Sequence, residues 1–222
     1  MMRFMAIWIF GFLIISCKKD NIDDTNYLDA VKRYAPFKTG SELYYIVDST
    51  IYDDFKDTVI NKIIYRRYVI DSLDNSIEDR ILFRVVVSET SDTTQPWIHI
   101  RVDQWAITQQ YFETQIENIR FTHLIFPVNF ESTWNTNQYS TRKEEVRYYT
   151  EINSNFIIGN LNFTKTIQVE SEPKNNSVID IQHQEVFAEN IGCVYKKITN
   201  IETQFGKPKG YAVINKLYAY NL

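Results

Sequence analysis

Two cysteines, three histidines and a few grouped acids are the residues of this 222-residue chain whose types could do chemistry. Cys17 has the most specific surroundings. Arg3 gives a positive start, Phe4 to Ile15 is an uncharged apolar run, and small Ser16 stands directly before the cysteine in Ile14-Ile15-Ser16-Cys17. Together residues 1–16 read as an export signal that is cleaved before Cys17. The Cys17 thiol carries a diacylglyceryl group, and the amino terminus freed by cleavage takes an acyl chain such as palmitate. The apolar run falls well short of the ~20 residues that cross a ~30 Å hydrocarbon core, so a permanent membrane helix is the weaker reading.

The remaining chemical residues have quieter settings. Cys193, in Ile191-Gly192-Cys193-Val194-Tyr195, has no partner once Cys17 carries lipid, so no internal disulfide is expected and it reads as a small packed hydrophobe. A catalytic thiol would want a histidine or cation beside it. Asp48, Asp53, Asp54 and Asp57 crowd one loop. They lack the alternating acids, turn glycine and closing glutamate of a calcium loop, so they read as a solvated hairpin. His99, His123 and His183 occur singly, without the paired spacing that zinc needs. Glu144 and Glu145 are neighbours in an extended segment and point to opposite faces, which suits a charged edge better than an acid pair. There is no Gly-x-Ser-x-Gly elbow, glycine-rich phosphate loop or His-Glu-x-x-His. The chain is therefore expected not to be an enzyme and to need no metal or cofactor beyond the lipid on Cys17. A hydrolase survives only as a constellation assembled in space.

These residues must be positioned by strands. After Cys17, residues 17–26 form a polar tether that begins Lys18-Lys19-Asp20, and Tyr27 to Tyr34 has the spacing of a two-turn helix stopped before Pro36. Residues 27–222 are one domain. Strand composition fills Leu43–Ile51, Thr58–Asp71, Arg80–Ser88, Trp97–Val102, Trp105–Ile116, Ile119–Phe126, Glu144–Ile152, Leu161–Glu170, Val178–His183, Cys193–Gln204 and Tyr211–Tyr220. Leu161, Phe163, Ile167 and Val169 alternate with polar neighbours, the period of strands wetted on one face. Glu185–Ile191 reads as a helical turn stopped by Gly192. Gly206 to Gly210 reads as the hairpin joining the last two strands. Crossover helices are absent, so the fold expected is all-β, a single antiparallel domain shaped as a large sandwich or a curved half-barrel with short helical turns at most.

The formal charge is −4 and becomes one unit more negative when Arg3 leaves with the signal. Without a basic run there is no electrostatic footprint for nucleic acid. Aromatic residues make up 15% of the chain, enough to serve both packing and recognition. Most tyrosines fit a pleated core. Trp97 and Trp134, near turns, are the candidates for a surface platform contacting an envelope protein or a glycan.

Pro36-Phe37-Lys38-Thr39-Gly40-Ser41-Glu42-Leu43-Tyr44-Tyr45 resembles the opening of a group of uncharacterised Bacteroidetes-type outer-membrane lipoproteins, with Ser41 and Leu43 in place of that group's Asn and Trp. Phe126-Pro127-Val128 with Trp134-Asn135, and Phe187 to Lys196, resemble its middle and closing stretches. The resemblance implies an all-β body and a lipid anchor and assigns no activity. Lys18 directly after the cysteine resembles the signal for forwarding to the bacterial outer membrane. The triplets containing Ser49, Thr58, Ser72 and Thr93 each follow an aspartate and resemble O-glycosylation acceptors of such bacteria, although Asp-Ser and Asp-Thr are also ordinary turn chemistry.

Three functional readings follow. The first is a lipid-anchored, noncatalytic envelope domain that binds a protein or glycan. The second is a carrier or chaperone for an apolar ligand held inside a curved sheet. The third, a hydrolase, needs a histidine of shifted pKa in a cleft. An apolar concave face without a packed plug favours the carrier, and a filled core favours the first reading.

Overall fold

The computed structural model describes residues 25–76 and 80–222. The export signal, Cys17 and the tether to residue 24 lie outside the described residues. The chain opens with α1 (Thr25–Tyr34) and continues through β1 (Glu42–Asp53), β2 (Thr58–Asp74), β3 (Arg80–Thr90), β4 (Ile98–Thr108), β5 (Tyr111–Ile116), β6 (Ile119–Ile125) and β7 (Thr133–Asn135). It then runs through β8 (Val146–Ile158), β9 (Leu161–Ser171), β10 (Lys174–Asn175), β11 (Ile179–Ala188), β12 (Gly192–Gln204) and β13 (Lys207–Asn221). The fold is all-β.

All thirteen strands belong to one antiparallel sheet in the order β6-β5-β4-β3-β2-β1-β13-β12-β11-β9-β8-β7, with β10 attached to β11. Neighbours in the sheet are consecutive in sequence except at β1 and β13, where the two ends of the domain meet, and at β9 and β11, between which the short β10 turns off to the side. The sheet curls into a nearly closed barrel, with bulges at Tyr44/Tyr45, Val87/Ser88, Phe112/Glu113 and Val186/Phe187 bending its strands. Its remaining edges, β6 and β7, come together at a short seam. There Thr122 N donates to Thr136 O at 2.9 Å, and Trp134 Nε1 and Thr136 Oγ1 both donate to Thr122 O. Closure of this kind satisfies edges that would otherwise pair with other chains.

Alternate residues of the strands fill the interior. Leu43, Tyr45 and Val47 of β1, Ile64 and Ile70 of β2, Phe83 and Val85 of β3, and Trp105 and Ile107 of β4 are buried there. The helix covers one end of the barrel, touching β4 and β12, and puts Val31 and Tyr34 into the core, with Ala35 and Phe37 following from the segment after it. The Phe37 ring centre lies 4.9 Å from that of Trp105, tilted to it, and 6.0 Å from that of Phe83, edge-on. Asn190 N donates to Arg33 O, fixing the helix to the β11–β12 turn.

Several boundaries differ from the sequence expectation for physical reasons. The helix begins at Thr25, so Thr25 and Asn26 belong to it rather than to the tether. Residues 97–116 do not break at Asp103, because Asp103 is an inward member of β4 held by Arg101, and the turn comes at Gln109-Gln110. Glu185–Ala188 is strand, not a helical turn, and continues β11. The last hairpin turns at Phe205-Gly206, both with positive φ as a tight two-residue turn demands, and Lys207–Gly210 is already strand. Gly210 is needed there because a Cβ would meet Asn200 O at 2.0 Å.

Candidate functional site

The barrel is not filled. A cavity of about 350 Å³ lies between its walls, a volume within the range of small-molecule sites. Its apolar part is lined by Phe37, Leu43, Trp105, Phe112 and Phe187, next to the end that α1 covers. Toward the other end the inward positions become charged: Arg66 on β2, Arg101 and Asp103 on β4, Glu185 on β11 and Lys196 on β12. Inward Ile198 and Val213 lie beyond them and are half-buried. The space is amphipathic along its length.

Glu185 organises one wall. Its carboxylate is fully buried and surrounded by Lys196 Nζ at 2.7 Å, His123 Nδ1 at 2.9 Å, His183 Nε2 at 3.2 Å and Arg147 Nη1 at 3.4 Å. Burial alone would favour the protonated acid. The electrostatic pull of His123, the Lys196 charge and the N–H groups that both histidines aim at it outweigh burial and hold the carboxyl well below the usual range. Burial pushes both histidines the other way. His123 is lowered, and His183 falls to about 3 through desolvation and the Arg147 charge, so both are neutral at pH 7.

Neutrality fixes their tautomers. Thr114 Oγ1 lies 2.8 Å from His123 Nε2, and Nδ1 faces the carboxylate, so Nδ1 carries the proton to Glu185 and Nε2 accepts from the threonine. For His183, Arg147 Nη2 donates to Nδ1 at 3.1 Å, which leaves the proton on Nε2 facing Glu185, close but poorly aligned for a full hydrogen bond.

The line Thr114–His123–Glu185 has the order of a nucleophile, base and orienting acid, and all three residues line the cavity. Its electrostatics oppose that use. Lys196 and Arg147 share the carboxylate, so it stabilises an imidazolium weakly, and burial keeps His123 poorly basic. Thr114 also sits in β5 with paired strands on both sides, whose ladders engage the backbone amides that an oxyanion would need. The arrangement serves better as a fixed polar wall.

On the opposite wall Arg101 holds Asp103 through two hydrogen bonds, and Arg66 Nη2 lies 2.6 Å from Glu89. In two of the three lining pairs the cation is the accessible member. Arg101 and Lys196 keep 24% and 26% of their side-chain surface, against 1% for Asp103 and Glu185. The cavity therefore offers N–H donors, while its acids are saturated.

The residues singled out in the sequence fall elsewhere. Trp97 is half-buried on the outer wall, edge-on to Tyr44 at 5.9 Å with the Arg67 guanidinium 5.2 Å from its ring, in a patch shared with Tyr218 and Tyr65. Trp134 is not a surface platform. It is 6% exposed, and packs on Tyr149 while its indole closes the seam. Thr58, Ser72 and Thr93 are exposed, whereas Ser49 is half-buried with its hydroxyl donating to Lys62 O. Of the loop acids, Asp54 and Asp57 pair with Lys209 and Lys207, and Asp53 accepts from the amides of Phe55 and Lys56. Cys193 lines the cavity near Tyr45, and burial pushes its thiol upward. The sequence did not bring His123, His183 and Glu185 together, since His123 lies on β6, far from β11 in the chain, and Glu185 read as helical and so was severed from His183.

No protein-family model and no curated protein matches the chain. Among solved structures, a "putative exported protein with YMCC-like fold" from Bacteroides fragilis aligns at 9% identity and a TM-score of 0.44, covering 82% of this chain and 97% of that one. A "putative lipoprotein" from Parabacteroides distasonis aligns at 10% identity and a TM-score of 0.41, covering 82% and 96%. Likeness at this level carries no residue, ligand or activity to this chain.

Proposed function

We propose that this protein is a noncatalytic carrier of the bacterial envelope, anchored to the outer membrane through lipid on Cys17, that holds one small amphiphile inside its barrel. The observation that supports it is the cavity of about 350 Å³ with aromatic walls at one end and accessible cations at the other. An acyl or similarly apolar body would lie against Phe37, Trp105, Phe112 and Phe187. An acceptor-rich head, such as a carboxylate or phosphate, would meet Arg101 and Lys196. This is the second of the sequence readings, moved ahead of partner binding because the concave face is open among the described residues. The Trp97 patch on the outer wall keeps a protein or glycan contact as a separate use of the exterior.

The test is binding of cis-parinaric acid, a fluorescent long-chain fatty acid, by the unlipidated chain from residue 18 onward, which contains every described residue. Saturable one-to-one binding is expected. It should be lost in Ile198→Trp, which puts an indole into the cavity wall, while the thermal transition stays cooperative. Absence of binding by the unsubstituted chain would sink the proposal.

A further inference from the structure

The β1–β2 and β12–β13 hairpins run beyond the charged end of the cavity as one ribbon, because β1 also pairs with β13 as far as Tyr52↔Gly210, and β11 flanks β12 as far as Ile179↔Glu202. Each tip carries a phenylalanine in full contact with solvent. Phe55 is 94% and Phe205 104% exposed, the highest values for large apolar side chains among the described residues. Phe205 also sits at φ 50°, a position where asparagine or glycine would cost less. A bulky apolar residue held there, in water, does nothing for the fold. The two tips are joined by ion pairs between Lys207 and Asp57 and between Lys209 and Asp54, so they present their rings together.

The ribbon's inward face continues the cavity. Above Val213 and Ile198 at the mouth, the next inward row places Ile60, Ile51 and Tyr211 side by side on β2, β1 and β13. These three are each 40% or more exposed. A short apolar row thus stands above the mouth of the cavity, with Asp53, Thr58, Lys209 and Glu202 on the same face between it and the tips.

We infer that the tips insert into a lipid bilayer and that the inward face of the ribbon guides an amphiphile between that bilayer and the barrel. This deepens the carrier reading and rests on it. A bilayer suits this surface better than a protein partner. The rings protrude on narrow convex tips instead of forming a flat or grooved face, and tip charges cancel, with Asp53, Asp54 and Asp57 against Lys56, Lys207 and Lys209. A neutral, zwitterionic interface accepts two rings flanked by balanced charge at headgroup depth, and the apolar row beneath that charged row opens into the cavity.

The experiment uses phosphatidylcholine vesicles, cis-parinaric acid and the chain from residue 18 onward, compared with Phe55→Ser/Phe205→Ser. Both side chains are outside the core, so the variant should unfold at the same temperature. The unsubstituted chain should float with vesicles and the variant should bind at least about tenfold more weakly, the loss expected from removing two buried rings. Affinity for cis-parinaric acid in solution should be equal for the two, while transfer from vesicles slows in the variant. Failure of the unsubstituted chain to float, or equal flotation and transfer by both, would overturn the inference with solution binding intact. Self-association through the tips, seen as a dimer in sedimentation that the variant lacks, without flotation, would overturn it too. Flotation without any fatty-acid binding would instead remove the carrier reading and leave the membrane contact standing.

Discussion

His123 Nδ1 lies 2.9 Å from Glu185 Oε2, joining β6 to β11 across the barrel through a carboxylate that is 1% exposed. The same carboxylate receives Lys196 and faces Arg147 and His183. A buried charge set of this kind is neutralised as a group, and removal of its anion leaves cations without a counterion. Glu185→Gln should destabilise the domain by about 3–5 kcal/mol, read from urea unfolding. The double variant Glu185→Gln/Lys196→Met should recover part of that loss. A Glu185→Gln cost within experimental error of zero would show that the group does not hold the walls together.

Acid should weaken the fold in two stages. The folded-state pKa of His183, about 3, and that of His123 lie below the ordinary histidine value of 6.5, so the neutral forms belong to the folded state. Their contribution is full above the unfolded-state pKa and is lost as pH falls below it. Glu185, also depressed, adds a loss as pH falls below its unfolded-state value near 4.5. Both signs agree. Urea midpoints should fall steadily from pH 7.5 to 4, by a few kcal/mol equivalent, and His183→Leu should flatten the part between pH 6.5 and 4.5.

The head of the ligand should be read by Arg101. Its guanidinium spans the cavity lining and Asp103, with a quarter of its surface free. Arg101→Met should weaken a long-chain carboxylate by roughly tenfold or more, the scale of one charge-assisted hydrogen bond, and leave the methyl ester of the same acid nearly unaffected. Equal losses for acid and ester would mean that the substitution damaged the cavity instead of the head contact.

The seam depends on side chains, since β7 is only three residues long. Trp134 Nε1 donates to Thr122 O at 3.0 Å, and Tyr149 OH bonds Ile125 O at 2.5 Å and receives Ile125 N. Trp134→Phe and Tyr149→Phe should each cost about 1–2 kcal/mol, since each leaves a buried carbonyl short of a donor. Amide exchange should be fastest along β6 and β7 in both.

Much of the fold was legible because alternation survives wherever one face is wet. Leu161 to Glu170 reads correctly as strand for that reason, and Thr58 to Asp71 does so through its Ile, Val and Tyr content. The misses share one physical cause. Asp103 and Glu185 are charged residues on inward faces, made tolerable by Arg101 two residues away on the same strand and by Lys196 and His123 from other strands, and the apolar–polar pattern marks neither as inward. Asp103 therefore read as a break and Glu185 as part of a turn. Trp134 read as surface because its neighbours are polar, yet those polar neighbours are the turn that completes the barrel. The cavity itself was invisible, since aromatic residues that line a space and aromatic residues that fill one have the same alternation.

The address at the amino terminus makes an independent prediction. Cys17→Ala should leave the signal uncleaved and the protein without lipid, while the barrel folds unchanged by circular dichroism. Release of a soluble mature form despite the substitution would contradict lipid attachment at Cys17. Intact mass of the mature protein also reports glycan on Ser49, Thr58, Ser72 or Thr93, and the three exposed sites should be modified before half-buried Ser49.

The most direct measurement is native mass spectrometry of the protein purified from cell envelope in detergent, beside its denatured mass. The carrier reading predicts one lipid-sized, noncovalent adduct per chain above the covalently lipidated mass, lost on denaturation and missing from Ile198→Trp. The same mass under native and denaturing conditions, or an adduct that Ile198→Trp retains, would contradict it.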